Sequence, residues 1–463
     1  MRKKAFKMKR FTVVFGLLIY LVSFGQNKPI LYDFADLPQS SLLNPALDNQ
    51  NKFHVGIPLV SGFYSEYGNT GFTLHNLFAD DGTTFNDKVN RVLNQMNSRD
   101  FGTLNTQIEV LNAGVRVNKD IYISFGFYHE IDAIAYYPRD VITLMNEGNS
   151  AYVGRIFSIS QLNFKFDAMG VTHVGATVKL NENVTVGGRL KMYSSAANIQ
   201  SRNNVGSFTT VLGSNNIYTH YLNNLDINFY SSGFFRDNEF ITDGSSYLNN
   251  TFFGKNAGFG IDLGVSYVIS PQLQFSASLL DFGYISYKED NQNTSINGSF
   301  NFEGVDFAYD PNNPRDYWGE ISDAFKAQVP ITDNQDAYSS MRPAKFNAAM
   351  KYSFGERRSK VCYDNSYEDF YTDAVGVHLF TVFRPLFPQV ALTGFYQKSL
   401  SDKIHAKVTY TVDDYSLHNL GFGFSMQLSK LNLYTTFDNI LNYGNITKTN
   451  NVSFQFGANI IFN

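Results

Sequence analysis

Apolar and polar residues alternate with a period of two along much of this chain. In residues 257–269 every second position is apolar, from Ala257 to Ile269, and the positions between them are mostly Gly, Ser or Asp. The same alternation recurs in residues 420–428 and 452–462. A strand with one face in lipid and the other in a polar lumen has this pattern. The sequence therefore predicts transmembrane β-strands.

Further segments fit such strands. They are residues 53–60, 104–118, 121–131, 155–166, 171–180, 184–198, 217–230, 273–287, 300–307, 344–354, 374–383, 390–397, 403–412 and 431–440. Short turns join many of them, whereas longer polar segments separate others, notably 201–216, 237–256, 289–298, 310–342 and 356–373. Short turns at one end and long loops at the other are typical of barrels. We predict an all-β fold, an antiparallel transmembrane β-barrel of about 14 strands within residues 51–463.

Two segments depart from the β-pattern. Residues 139–147 follow a proline and place Val141, Leu144 and Met145 on one side of a helix. Residues 317–325 also show helical spacing after Pro314. Pro favours the start of a helix, so both are predicted to be short helices in loops or at a barrel mouth.

The first 25 residues predict a secretory signal peptide. Six basic residues precede an apolar stretch, residues 11–24, that is too short to span a bilayer. Small residues place the cut between Gly25 and Gln26. Cleavage leaves 31 basic and 41 acidic side chains, a net charge of −10, so nucleic acid is not an expected partner.

Residues 26–50 are predicted to fold inward, as a separate segment. Pro29, Pro38 and Pro45 remove the backbone donors that a central strand needs. The segment nevertheless contains several large apolar residues that require an apolar environment. A barrel interior provides one.

Composition and motifs argue against an enzyme. Hydrophobic residues make up 43% of the chain and charged residues 17%, which excludes disorder and disfavours helical bundles. The single Cys, the scattered histidines and the lack of a GxSxG elbow leave no recognisable cofactor or catalytic site. A barrel lipid hydrolase built from Ser and His on strands stays a minor alternative, with His173, His378 and His405 as the available histidines.

Three charged residues are predicted to face the lumen. Arg189 and Lys191 share one face of a strand because they are two residues apart, and Asp262 lies on the polar face of another strand. Lipid exposure of Arg or Lys costs ~2–4 kcal/mol at the bilayer midplane, so the lumen is favoured. The charges could line a solute path or form a network that fills a closed barrel, and the network is slightly favoured.

Several short motifs resemble a family of Bacteroidota outer-membrane proteins of unassigned function, whose barrel is similar to that of FadL-type long-chain fatty-acid transporters. The motifs are Ser41-Leu42-Leu43-Asn44-Pro45-Ala46, Gly187-Gly188-Arg189-Leu190-Lys191, Gly258-Phe259-Gly260-Ile261-Asp262-Leu263-Gly264, Leu280-Asp281-Phe282-Gly283-Tyr284-Ile285, Phe437-Asp438-Asn439-Ile440-Leu441 and Phe456-Gly457-Ala458-Asn459-Ile460. The resemblance implies that Asn44, Pro45 and Ala46 belong to an N-terminal hatch in the lumen. The alternative is that Asn44-Pro45 only starts a turn.

Three function classes follow for a protein of the cell outer membrane. The first is a FadL-like transporter or channel for a hydrophobic or small solute, placed first because of the resemblance. The second is a non-transporting component of an envelope assembly, such as a plug or accessory subunit of a type IX secretion translocon. The third is the lipid hydrolase. Expected partners are outer-membrane lipid, the barrel assembly machinery acting on residues 452–463, and envelope proteins.

Overall fold

The computed structural model describes residues 28–34, 37–214, 217–236, 239–241, 243–304, 316–360 and 367–462. Within them, 14 antiparallel strands form a closed barrel, which confirms the predicted fold. The predicted signal peptide and the cut between Gly25 and Gln26 lie outside the described residues. The strands are β1 (in two pieces, Phe53–Gly56 and Phe63–Asn69), β2 (Phe101–Asn118), β3 (Ile121–Tyr136), β4 (Asn163–Lys179), β5 (Val184–Ser201), β6 (Ala257–Ser270), β7 (Leu273–Tyr287), β8 (Lys345–Lys360), β9 (Tyr367–Phe383), β10 (Pro388–Ser401), β11 (Ile404–Val412), β12 (Asn419–Leu428), β13 (Leu431–Asp438) and β14 (Asn451–Phe462).

The barrel closes where its first and last strands meet. β1 pairs with β2 on one side and with β14 on the other, and Phe53 lies opposite Phe462. Every strand of the barrel therefore has two neighbours, which leaves no open sheet edge in the membrane.

The two ends of the barrel differ. At the short-turn end, two to four residues connect β2 to β3, β4 to β5, β6 to β7, β10 to β11 and β12 to β13. The opposite end, called the loop end, carries the helices α1 (Leu74–Phe78), α2 (Phe85–Gln95), α3 (Arg139–Glu147), α4 (Gly244–Phe253) and α5 (Tyr317–Gln328). Among the helices of the described residues, none has the length and hydrophobicity needed to cross a bilayer.

The strand faces follow the alternation in the sequence. On β6, Phe259 and Leu263 are more than half exposed on the outer surface, whereas Asp262 between them is completely buried in the lumen. The outer surface therefore carries an apolar belt and the inner surface carries small and polar residues, as a membrane barrel requires.

A β-bulge interrupts the alternation on β7. The register with β6 shifts between Ile261 and Leu263, and Asp281 adopts a positive φ of 57°. Strict alternation from Leu273, Phe275 and Leu279 would point Asp281 into lipid. The bulge turns its side chain into the lumen instead, where it is 3% exposed.

Several predicted segment boundaries are wrong. Residues 155–166 and 171–180 do not form two barrel strands, because β4 runs unbroken through residues 163–179. The predicted strands at 217–230 and 300–307 overlap strands Tyr218–Ser232 and Asn291–Phe302, which pair with each other outside the 14-strand barrel. The predicted loops at 201–216, 289–298, 310–342 and 356–373 contain strand residues, those of 310–342 being Ile331–Asn334 and Tyr338–Met341, and 237–256 contains α4. Period-two alternation is weak in these elements, because no lipid imposes a continuous apolar face on strands beyond the membrane. The two predicted helices are confirmed as α3 and α5.

Candidate functional site: the filled lumen

Residues 28–51, called the plug segment, lie inside the barrel near its short-turn end and are described except for residues 35 and 36. They contain one short 3-10 helix, Pro38–Leu42, and none of the described residues joins the sheet. The Asn44 side chain accepts a hydrogen bond from the Ala46 backbone N–H at 2.9 Å, which makes a tight turn. Prolines and this turn keep the segment compact rather than extended.

Side chains of the barrel strands hold the plug segment by donating hydrogen bonds to its backbone carbonyls. Donors from four strands take part: Lys407 Nζ to Tyr32 O at 2.6 Å, Arg189 Nη2 to Ser41 O at 2.7 Å, Ser278 Oγ to Leu43 O at 2.6 Å and Thr177 Oγ1 to Pro45 O at 2.6 Å. A carbonyl offers the same acceptor whatever its side chain is. These contacts therefore recognise the path of the segment more than its sequence.

An apolar niche in the lumen receives the large side chains of the plug segment. Leu31, Phe34 and Leu37 are at most 2% exposed and pack with Ala349 on β8 and Tyr434 on β13. The niche depends on glycine. A Cβ on Gly423 would lie 2.6 Å from Ile30 Cγ2 and 3.1 Å from Phe34, so a side chain there would displace the segment.

Polar side-chain contacts also bind the plug segment to the barrel wall. Gln39 Nε2 donates to Asn459 Oδ1 at 2.9 Å, and Asn459 Nδ2 donates to Gln39 Oε1 at 3.0 Å. Lys28 donates to the Gln107 side chain and lies 4.5 Å from the centre of the Tyr64 ring. Burial lowers the pKa of the Lys28 ammonium to about 8, an effect that Lys345 reinforces and nearby carboxylates oppose.

Beyond the plug segment, buried charges cross the lumen in what we call the charged layer. It contains six cations and five carboxylates: Lys165, Arg189, Lys191, Arg342, Lys345, Arg384, Glu130, Asp132, Asp167, Asp262 and Asp281. Lys191 Nζ lies 2.6 Å from Asp281 and 2.9 Å from Asp262. Arg342 lies next to β8, yet it reaches Glu130 on β3 at 2.9 Å. The layer therefore spans the lumen rather than following the wall.

The sequence-predicted site residues lie in these two regions. Asn44, Pro45 and Ala46 are buried in the plug segment, and the Asn44 side chain also donates to Tyr32 Oη at 3.0 Å. Asp262 lies 3.0 Å from Arg189 and 2.9 Å from Lys191, and all three side chains are at most 4% exposed. Arg189 joins the two regions, because it contacts both Asp262 and the plug segment.

Sequence reasoning missed most of the charged layer. Glu130 and Asp132 have the spacing of two that predicted Arg189 and Lys191, so the same argument could have found them. Asp281 could not have been found in this way, because the β-bulge reverses its face. Arg342 and Arg384 lie just outside regular strands, where period-two reasoning does not apply.

The histidines proposed for a hydrolase do not form one site. His378 stacks on Tyr32 at 4.3 Å between ring centroids, and His405 Nδ1 lies 2.9 Å from Ser399 Oγ at the short-turn end. His173 is buried on β4 beside Tyr128. Among the described residues, no three His, Cys, Asp or Glu side chains are placed to hold a metal ion.

The structure defines a class: a membrane β-barrel whose lumen is filled by an N-terminal segment and a charged layer. The chain belongs to a family described as "Family of unknown function (DUF5723)", whose model matches residues 45–438. No curated protein matches the chain.

Solved barrels are also similar to the chain. The Ralstonia pickettii toluene transporter TbuX aligns with 10% identity and a TM-score of 0.42, covering 93% of this chain and 95% of the transporter. A Pseudomonas aeruginosa FadL homologue aligns with 10% identity and a TM-score of 0.44, again covering 93% of this chain and 95% of the homologue. The Pseudomonas putida toluene transporter TodX aligns with 8% identity and a TM-score of 0.37, covering 95% of this chain and 94% of the transporter. The likeness is limited to general barrel architecture.

Proposed function

We propose that this protein is an outer-membrane transporter or channel for a hydrophobic or small solute, and that the plug segment is its gate. The observation that carries the proposal is the apolar niche. It is lined by Ala349, Tyr434, Gly421 and Gly423, and the side chains of the plug segment occupy it. A site that accepts Leu and Phe side chains offers the same apolar surface to a hydrophobic solute once the segment moves.

The way in which the plug segment is held supports movement. Its described residues make no strand pairing with the barrel, and several of its hydrogen bonds are neutral. The two ion pairs that these residues make with the wall, Asp33–Lys351 at 2.6 Å and Asp48–Arg116 at 2.7 Å, are partly exposed, and such pairs contribute little. Neutral hydrogen bonds contribute only ~0.5–1.5 kcal/mol each, since water can replace them. The segment is tethered to β1 at the short-turn end, so it can leave the lumen without unfolding a strand.

The charged layer favours a second candidate, a non-transporting component of an envelope assembly. Buried ion pairs fill the lumen beyond the plug segment, and a hydrophobic solute gains nothing from contact with them. A barrel of this kind could serve as an accessory subunit of a secretion translocon, docked through its loops or its plugged end.

Deletion of residues 26–50 distinguishes the two candidates. If the plug segment is a gate, the deletion leaves a folded barrel with raised single-channel conductance in planar bilayers. A matched Q39C/N459C variant in a C362S background, oxidised or bridged by a short methanethiosulfonate linker, should stay closed until a reductant is added. Conductance near zero after deletion, together with lost co-purification of envelope proteins from detergent extracts, would instead support the assembly candidate and overturn the gate.

A further inference from the structure

Helix α4 lies against the outer wall of the barrel rather than over its mouth. Tyr247 Oη lies 2.8 Å from His129 Nε2 on β3. Ser194 Oγ on β5 donates to Asn250 O at 2.6 Å and accepts a hydrogen bond from the Gly254 N–H at 2.8 Å. The helix therefore crosses β3, β4 and β5 on the side that faces lipid.

The wall is shaped to receive this helix. A Cβ on Gly170 of β4 would lie 2.1 Å from Thr251 O, so no larger residue fits there without moving α4. His129 and Ser194 are polar positions on an otherwise apolar face, and α4 supplies both with hydrogen-bond partners. Without the helix, these groups would face hydrocarbon unsatisfied.

The register of the strands gives the depth of the helix. His129 pairs with Gly170 and Gly170 with Ser194, so the three contacts lie at one level. Eight residues separate this level from Ile121, where β3 begins at the short-turn end. At ~3.3 Å per residue and a tilt of ~40°, this is a rise of roughly 20 Å, close to the upper edge of an apolar belt ~25 Å tall.

The helix has three faces. Tyr247 and Thr251 face the barrel, and Ser245 and Asn249 are exposed polar residues. Leu248 and Phe252 share a further face because they are four residues apart. Phe252 stacks on Phe127 at 4.7 Å between ring centroids, two residues nearer the short-turn end than His129. This third face therefore points down the wall toward the belt.

We propose that α4 is a membrane-interface anchor whose apolar side chains lie at the boundary between head groups and acyl chains of the loop-end leaflet. Leu248 on the third face is 59% exposed, and Phe253, the last residue of the helix, is 83% exposed and lies beside Phe252 at 6.2 Å between ring centroids. Met192 and Phe259 of the outer belt are exposed to a similar extent, 58% and 60%. Aromatic side chains flank the apolar band of outer-membrane barrels at both interfaces, which is the position that Phe252 and Phe253 would take. The partner that this surface fits is lipid, and the anchor fixes how deep the barrel sits, independently of any transport.

Tryptophan quenching by brominated lipid tests the anchor. Trp318 is the only Trp of the chain and lies 82% exposed on α5. In a W318F background, F253W and L248W each place one indole on α4, and M192W places one in the belt. Folded barrels, verified by heat-modifiable migration, are reconstituted in phosphatidylcholine with or without bromine on the acyl chains.

The anchor predicts that F253W, L248W and M192W lose most of their emission in brominated vesicles, whereas the wild-type Trp318 keeps its emission. If F253W and L248W keep theirs as Trp318 does, α4 lies in water and the proposal is wrong. Blue-shifted emission that bromine does not quench would also overturn it, since a second copy or another protein would then cover the helix. If L248W fails to fold, F253W alone is sufficient for the test, because Phe253 is the most exposed of these side chains and tolerates substitution best.

Discussion

The two halves of the lumen are filled in different ways. Near the short-turn end, a segment that belongs to no strand fills the space with Leu and Phe side chains and with backbone carbonyls that accept hydrogen bonds. Farther along, the strands and the residues next to them fill the lumen with their own charged side chains. The first filling can leave as a unit, whereas the second belongs to the wall and can open only by rearrangement of its side chains.

The plug segment and the charged layer therefore differ in how reversibly each can be removed from the lumen. Removing the plug segment exposes an apolar niche, neutral groups and cations that contact the segment, such as Lys351, Arg116 and Lys407. Water entering the opened end can solvate these groups. Removing one member of the charged layer leaves a partner charge buried and uncompensated, which is far more costly. On the proposed function, the plug segment at the short-turn end is therefore suited to be the gate, whereas the charged layer reinforces the wall.

The largest expected effect is on the charged layer. D281N should destabilise the barrel by about 3–5 kcal/mol, because Lys191 and Lys345 lose their shared carboxylate. Asn tolerates a positive φ, so the substitution isolates the charge. Urea unfolding in lipid vesicles measures the loss. The matched control is D373N, which breaks a pair with the half-exposed Lys398 and should cost ~1 kcal/mol or less. Equal losses of unfolding free energy in D281N and D373N would show that burial does not make the charged layer more important for stability than an exposed ion pair.

The second effect is a pH dependence of the plug segment. The pKa of Lys28 is about 8 when the segment is bound and ordinary when it is displaced, so protonation favours displacement. Binding is therefore strongest above pH ~10.5, weakens on the order of 10²-fold as the pH falls to about 8, and levels off below that pH. Channel opening should decrease as the pH rises through this range. K28M should abolish the dependence, and an unchanged pH profile in K28M would refute the role of Lys28.

A smaller effect concerns the niche. G423V should displace Ile30 and Phe34, destabilise the plugged state by about 1–3 kcal/mol and expose the plug segment to protease added at the short-turn end. G394V is the control, because a Cβ at Gly394 meets nothing within 4 Å. Comparable protease sensitivity in both variants would show that the niche does not hold the segment.

The smallest effect is expected for a single hydrogen bond of the plug segment. S278A removes the donor to Leu43 O, but Asn347 Nδ2 still donates to the same carbonyl at 3.3 Å. The plugged state should lose at most about 1 kcal/mol, visible as slightly faster hydrogen exchange of plug amides. A loss as large as that of D281N would mean that the two halves are held equally firmly.

Much of the barrel could be predicted because lipid imposes a simple rule on each strand. Apolar residues such as Phe259 and Leu263 alternate with Asp262, and the structure follows that alternation on β6. The charges at Arg189 and Lys191 were placed by the same rule. Asp281 shows where the rule ends, since one β-bulge changes the face of a side chain without any change in composition.

Elements outside the membrane were harder to predict. Strand Asn291–Phe302 has one polar face and a second face on which Ile296, Phe300 and Phe302 are mixed with Gln, Thr and Gly, and α4 alternates between three environments within ten residues. No single periodicity describes a helix that contacts a barrel wall, lipid and water. The interior position of residues 26–50 was expected from prolines and apolar residues, but the partners of the described residues of the plug segment belong to strands far away in the sequence.

That separation in sequence has a consequence for biogenesis. Gln39 contacts Asn459, 420 positions later in the chain, and the seam of the barrel pairs Phe53 with Phe462. Contacts between such distant positions form late, because the intervening chain must be ordered first. The seat of the plug segment is therefore complete only after the last strand has been added. Insertion of the plug segment and closure of the wall become one terminal step, so a chain that stalls during synthesis cannot be plugged prematurely.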